Sequence, residues 1–208
     1  MSLDADDPKD IDVQPPVRLI LASGSPRRAL LLGAAGISFD VMVPDVDESL
    51  MDGEPPSEYV LRLSDEKASS VPLVDRHVIL GADTTVVLDG VSIGKPDDHD
   101  HAVSILMSLI GRSHSVLTGW TVRSSMSHRF GITESRVVFN DRSEAEVSEY
   151  VDRTRPFDKA GAYALQGDGG FLVSSVIGSR SNVMGLPIGD VVPALEDLGV
   201  VRSTPHGG

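Results

Sequence analysis

The apolar positions of the chain fall into short blocks, and the spacing within each block predicts the element it forms. Residues 17–22 are a brief, nearly uninterrupted apolar run, which suits a central strand. Ser23-Gly24-Ser25-Pro26-Arg27-Arg28 follows, and Ala29-Leu30-Leu31-Leu32 then reads as part of a helix over 26–35 closed by Gly36. Ser25 suits the N-cap of that helix. Pro26 suits its first position, where the missing N–H costs nothing. A second strand is expected over 38–43, then an acidic loop, Pro44-Asp45-Val46-Asp47-Glu48, running into Gly53-Glu54-Pro55-Pro56. The second helix should start near Ser57, with Val60, Leu61 and Ala68 on its apolar face and Lys67 near its end.

Residues 77–81 predict a buried strand that ends in Ala82-Asp83-Thr84. Val86-Val87-Leu88 and Val91-Ser92-Ile93 flank Asp89-Gly90, a pair suited to a two-residue hairpin turn, and Lys95-Pro96 comes directly after. A third helix over 98–110 carries Ala102, Ile105, Leu106 and Leu109 at helical spacing and stops at Gly111. Two long strands, 113–125 and 130–139, join at Met126-Ser127-His128. Ser143 and Glu146 form a capping box for a helix reaching about residue 152. Beyond Pro156, glycines among short apolar runs indicate strands and tight turns, and Pro187 opens a last helix that ends at Gly199. The acidic, proline-containing residues 1–16 read as a disordered leader, 17–201 as one domain and 202–208 as a frayed tail. This order implies a mixed sheet with helices on its faces, α/β or α+β. Strand order is not legible.

At 208 residues the chain can bury a full core, as one domain or as two closely joined lobes. No apolar run approaches the ~20 residues of a membrane span. The amino terminus is acidic from Asp4 and lacks a signal-peptide pattern, so the expected compartment is the cytoplasm. Cysteine is absent, which excludes disulfides, thiol nucleophiles and thiolate metal sites. A formal charge of -13 argues against a nucleic-acid partner, although the first sixteen residues alone supply four of those negatives. An acidic protein still binds a small polyphosphate where its few cations converge in one cleft with a metal ion.

Such cations are present. The turn before the first helix offers exposed N–H groups to an anion, and Arg27 and Arg28 strengthen that pull. Glu48, Lys67, Asp83 and Lys95 each close an apolar element, and in open sheets such ends share one crevice. Two carboxylates with two lysines and two arginines suit a phosphate–magnesium complex. Each residue also has a plainer reading. The first helix can be a capped surface helix with solvated arginines, Glu48 part of a solvated acidic loop, Lys67 a partner of its helix dipole, and Lys95 a turn lysine. Asp83 resists that treatment, because a carboxylate after a buried run needs a partner. His99 and His101 read as a solvated face and Trp120 as packing. No serine nucleophile elbow, Walker loop or dinucleotide fingerprint is present.

In this order the blocks resemble the Maf family of nucleoside triphosphate pyrophosphatases, once described as septum-formation inhibitors. The resemblance runs over about residues 19–198. It rests on Ala22-Ser23-Gly24-Ser25-Pro26-Arg27-Arg28, Asp47-Glu48, Arg62-Leu63, Lys67-Ala68, Gly81-Ala82-Asp83-Thr84, Gly94-Lys95-Pro96 and Thr118-Gly119. Asp158-Lys159-Ala160-Gly161-Ala162-Tyr163, Gln166-Gly167 and Asn182-Val183-Met184-Gly185-Leu186-Pro187 complete it. The resemblance implies an α/β fold with an extended mixed sheet, two lobes and a central cleft. The activity it implies is cation-dependent hydrolysis of a nucleoside triphosphate to monophosphate and pyrophosphate, with Mg2+ or Mn2+ as the cofactor. It casts Asp83 as proton acceptor and Glu48 as a cation or water ligand, with Asp83 also at the metal. Lys67 and Lys95 join them in the catalytic set and, with Ser23, Arg27 and Arg28, look like the phosphate-binding set; Ser25 is also cast as substrate-binding.

Ala82-Asp83-Thr84 and the glutamine of Leu165-Gln166-Gly167 are similar to the branch acting on dTTP and UTP. That makes Arg27, Thr84 and Gln166 the expected specificity positions, since a primary amide can complement both O4 and N3–H of a pyrimidine. Ser64, where the family usually has alanine, and Arg180, where it has an aromatic, depart from the pattern. Homodimerisation is the family's habit. A nucleotide-binding regulator of septum formation with little turnover is the alternative function.

Overall fold

In a computed structural model the described residues are 17–202; the expected leader and all of the expected tail but Arg202 lie outside them. Arg202 bridges to Ile37 and pairs with Glu196 at 2.6 Å. The elements in chain order are β1 (Arg18–Ala22), α1 (Pro26–Ala34), β2 (Phe39–Val41), α2 (Pro56–Ser70), β3 (His77–Leu88) and β4 (Val91–Ile93). They continue as α3 (His99–Leu109), β5 (Ser113–Arg123), β6 (His128–Phe139), α4 (Glu144–Thr154), β7 (Val173–Ile177), α5 (Arg180–Val183) and α6 (Ile188–Glu196).

The strands form one seven-stranded mixed sheet in the order β2-β1-β3-β5-β6-β7, with β4 also on β3. β1 runs parallel to β2 and β3, and the remaining pairs are antiparallel. The molecule is therefore α/β with an extended mixed sheet. Local chemistry sets several boundaries as expected. Ser143 and Glu146 close a reciprocal capping box on α4. Asp89 and Gly90 both take positive φ, 51° and 82°, as the tight β3–β4 hairpin requires.

Two expectations need correction. The stretch beyond Pro156, expected to hold strands and tight turns, also carries the short helix α5, which Ser179 caps by accepting from Asn182 N–H. Asp83 does not follow a strand; it sits in the middle of β3, which continues unbroken for 12 residues. The small and polar residues Gly81-Ala82-Asp83-Thr84 resemble a strand end because they answer to other needs. A methyl group on Gly81 would overlap the backbone oxygen of Ser64, and one on Gly119 would overlap that of Val60, so α2 lies directly on β3 and β5 at these two glycines. Ser64 adds a buried hydrogen bond to Thr121 at 2.9 Å, which accommodates its hydroxyl under the helix.

The other sheet face carries two apolar clusters. Leu19, Leu21, Leu80, Ala82 and Val122 pack under Leu32 of α1 and Val191 and Leu195 of α6. Val86, Val116, Val137 and Phe139 pack under Ala102, Leu106, Val147 and Tyr150 of α3 and α4. Between them the same face turns polar. Thr84 and Thr118 hydrogen bond across the strands at 2.9 Å, Thr118 donates to the Asn182 carbonyl, and Asn182 donates to Val116 O and to Ser135 Oγ. This polar belt, capped by α5, separates the two lobes.

Candidate active site

β1 pairs with β3 only as far as Gly81, and β4 takes up that edge only from Val86. Residues 82–85 thus have a free edge where the partner strand changes, and a cleft of about 760 Å³ opens there between the lobes. Crevices of α/β sheets form at such switches of strand partner. All ten expected site residues line it.

The β1–α1 turn forms one wall. Ser25 is the N-cap residue of α1, but its side chain makes no capping bond, and Pro26 has no N–H to give. Ser23 is buried, and its hydroxyl accepts from Ser25 N–H at 3.2 Å and from Arg28 Nη1 at 3.0 Å. Arg28 is turned inward. Nε donates to Gly185 O at 2.8 Å and Nη2 to Thr84 Oγ1 at 3.3 Å, so this guanidinium ties the turn to the polar belt while facing the cleft. Arg27 is half-buried in the cleft wall and stands 3.5 Å from Asp158. Thr84 is bonded to Thr118, Gly185 O and Arg28, so its hydroxyl is largely occupied within the protein.

The charged centre lies opposite. Lys67, on the sheet-facing side of α2 and 5 % exposed, donates to Asp83 Oδ1 at 2.6 Å. The same ammonium is 2.6 Å from Glu48 Oε1, and Lys95 Nζ reaches Glu48 Oε2 at 3.2 Å. Glu48, Lys67, Asp83 and Lys95 are therefore one contiguous network. Burial alone pushes the Glu48 carboxyl up, but Lys67 and Lys95 outweigh it and hold the group below the usual range.

Glu48 comes from a loop, and α2 fixes that loop. Tyr59 donates its hydroxyl to Glu48 O at 3.0 Å. Burial and the charges of Asp83 and Glu48 push that phenol up to about 12. Arg62 grips Glu54 through Nε at 2.7 Å and Nη2 at 2.8 Å, and Nη2 also donates to Ser49 O at 3.1 Å.

Asp158, Lys159 and Tyr163 are among the lining residues to which the sequence assigned no role. Asp158 and Lys159 pair at 2.5 Å on the wall facing Arg27. Their motif was visible, but nothing in its spacing pointed to the cleft. Tyr163 lines the floor and bonds His114 Nε2 at 2.8 Å. Burial lowers His114 to about 4, so the ring is neutral. This bond anchors the segment that presents Gln166, which is exposed at the cleft mouth.

Glu48 and Asp83 direct carboxylate oxygens at one point, now marked by Lys67, and such hard donors fit Mg2+ or Mn2+. Among the described residues no group of three or more His, Asp or Glu is assembled to hold a metal ion, so further ligands would be water or phosphate oxygens. No helix among the described residues is long and apolar enough to cross a membrane.

Fold and cleft together define a mixed α/β protein with a charged crevice where its central strand changes partner. The family model for Maf-like proteins matches residues 18–198. The chain belongs to this family. It is 46 % identical over 186 residues to a dTTP/UTP pyrophosphatase of Anaeromyxobacter dehalogenans, covering 88 % of this chain and 94 % of that protein. It is 45 % identical to the protein of the same name from Myxococcus xanthus, with 88 % and 93 % covered. The corresponding Geobacter sulfurreducens protein is 41 % identical, with 88 % and 98 % covered.

Proposed function

We propose that the protein hydrolyses nucleoside triphosphates, dTTP and UTP foremost, to the monophosphate and pyrophosphate. The observation that carries this reading is the network in which Asp83, Lys67, Glu48 and Lys95 meet across a cleft from Ser23, Arg27 and Arg28. The family membership and the names of the relatives support it. Water attacks the α-phosphorus, the bond from that phosphorus to the bridging oxygen breaks, and pyrophosphate departs. Asp83 takes the proton from the attacking water. Lys67, Lys95, Arg27 and the first N–H groups of α1 neutralise the phosphate oxygens, with Ser23, Ser25 and Arg28 shaping that wall. Glu48 and Asp83 would hold the divalent cation, which would supply Lewis acidity toward the phosphate oxygens. Gln166 reads the pyrimidine edge, beside Arg27 and Thr84. The proposed compartment is the cytoplasm, and the family's habit makes a homodimer the assembly to test for.

Pyrophosphate release with Mg2+ or Mn2+, measured side by side on dTTP, UTP, CTP and 7-methyl-GTP, tests the reading. dTTP and UTP should be turned over fastest, Asp83→Asn should lower kcat by about 10²–10⁴-fold, and Gln166→Ala should narrow the gap between UTP and CTP. A preference for 7-methyl-GTP refutes the substrate assignment. Unchanged turnover in Asp83→Asn refutes the site. Tight nucleotide binding without release would mark a regulator instead.

A further inference from the structure

Lys67 occupies a position that a divalent cation would also claim. Its Nζ lies 2.6 Å from Asp83 Oδ1 and 2.6 Å from Glu48 Oε1, on the two carboxylates suited to the metal. The second oxygen of Glu48 is engaged by Lys95 at 3.2 Å. A buried ammonium and a hard dication compete for the same oxygens. A metal ion entering the free protein would have to displace Lys67, leaving that ammonium buried without a counter-ion, which is strongly unfavourable. A triphosphate removes the obstacle, because its oxygens give the ammonium a new partner within the same cleft.

The donor count points the same way. Mg2+ takes six ligands and usually keeps several waters and substrate phosphates, with only one or two carboxylates. Two carboxylates face this point, and no larger group of acidic or histidine ligands is assembled among the described residues. We infer that Lys67 is the resident counter-ion of the free cleft, and that the protein takes up its divalent cation only as the metal–triphosphate complex. Lys67 passes from the carboxylates to phosphate as that complex seats, so metal and nucleotide bind with strong mutual dependence. The identity of the nucleotide rests on the proposed pyrophosphatase activity; the blocking of free metal by Lys67 does not.

The test is a Mn2+ titration of the whole protein, followed by electron paramagnetic resonance of the unbound ion. The probes are Mn2+ alone and Mn2+ with α,β-imido-dUTP, whose altered linkage resists cleavage. Wild type without nucleotide should bind Mn2+ no tighter than about 1 mM, and the analogue should tighten binding at least about tenfold. Lys67→Met without nucleotide should bind at least about tenfold more tightly than wild type, whereas Lys67→Arg, which keeps the charge, should remain weak. Equal Mn2+ affinity in wild type and Lys67→Met, with no nucleotide present, overturns the inference. So does an analogue that binds without tightening Mn2+. If the analogue fails to bind at all, the pyrophosphatase reading falls, and the nucleotide-free comparison still judges the role of Lys67. Should circular dichroism show Lys67→Met unfolded, the wild-type titration decides. Binding in the micromolar range without nucleotide then overturns the inference, and millimolar binding that the analogue tightens supports it.

Discussion

His114 illustrates how one buried side chain ties a catalytic wall to the pH dependence of the whole fold. It is 3 % exposed, packs edge-on against Phe139 and Tyr163, and holds the Tyr163 hydroxyl below the Gln166 segment. Burial lowers its folded value to about 4, while the unfolded chain keeps the ordinary value near 6.5. Between those two values the unfolded state binds a proton that the fold refuses. The stabilising contribution is therefore complete above pH 6.5 and declines as pH falls, by about 1.4 kcal/mol per pH unit down to pH 4. Urea unfolding at pH 7 and pH 5 should show the wild type losing about 2 kcal/mol more than His114→Gln. Glutamine can still bond Tyr163 but does not titrate; parallel losses would show that His114 is not the source. Nothing in the sequence marked this histidine, because its neighbours in space come from β6 and from the segment after α4.

At the scale of elements, α2 decides the geometry of the charged centre. Its contact with the sheet depends on Gly81 and Gly119, where the helix backbone comes closer than any side chain would permit. That closeness delivers Lys67 to Asp83. Gly81→Ala should cost about 1–3 kcal/mol of stability by urea unfolding, and it should lower kcat/KM as well, since the displaced helix carries Lys67 away. Full activity in a destabilised Gly81→Ala protein would contradict the link between the contact and the site. Much of the element map was legible beforehand. Pro26 opens its helix, α2 begins within a residue of the expected Ser57, Ser143 and Glu146 cap theirs, and Asp89-Gly90 turns its hairpin. The central part of β3 was not, because glycine, alanine and aspartate in a row carry the local signature of a strand end. Their actual environment is a helix pressed on one face and an open cleft along the edge.

Across the whole molecule, β3 and β5 run beneath both apolar clusters. Val78, Leu80 and Ala82 serve one and Val86 the other; Val122 and Val116 divide in the same way. The polar belt of Thr84, Thr118 and Asn182 interrupts the core without interrupting the strands. The lobes should therefore unfold together. Trp120 reports on the α1–α6 cluster, so its fluorescence and the far-UV circular dichroism should give one shared urea midpoint. Two separated midpoints would show that the strands do not couple the lobes.

Most of the elements, the α4 capping box and the β3–β4 turn are written in the chain, as are motif blocks specific enough to indicate the family. Those properties are local, because helical and strand periodicity, N-caps and tight turns are decided within a few residues. Which strand lies beside which, and which cation answers which carboxylate, was decided only by the tertiary structure. Arg28 meets Gly185 across 157 positions, and Lys67 meets both Asp83 and Glu48 from a helix between them. Such meetings depend on how closely α2 settles on two glycines and where β1 stops along β3. Surface fit of that kind leaves no periodic trace in the chain.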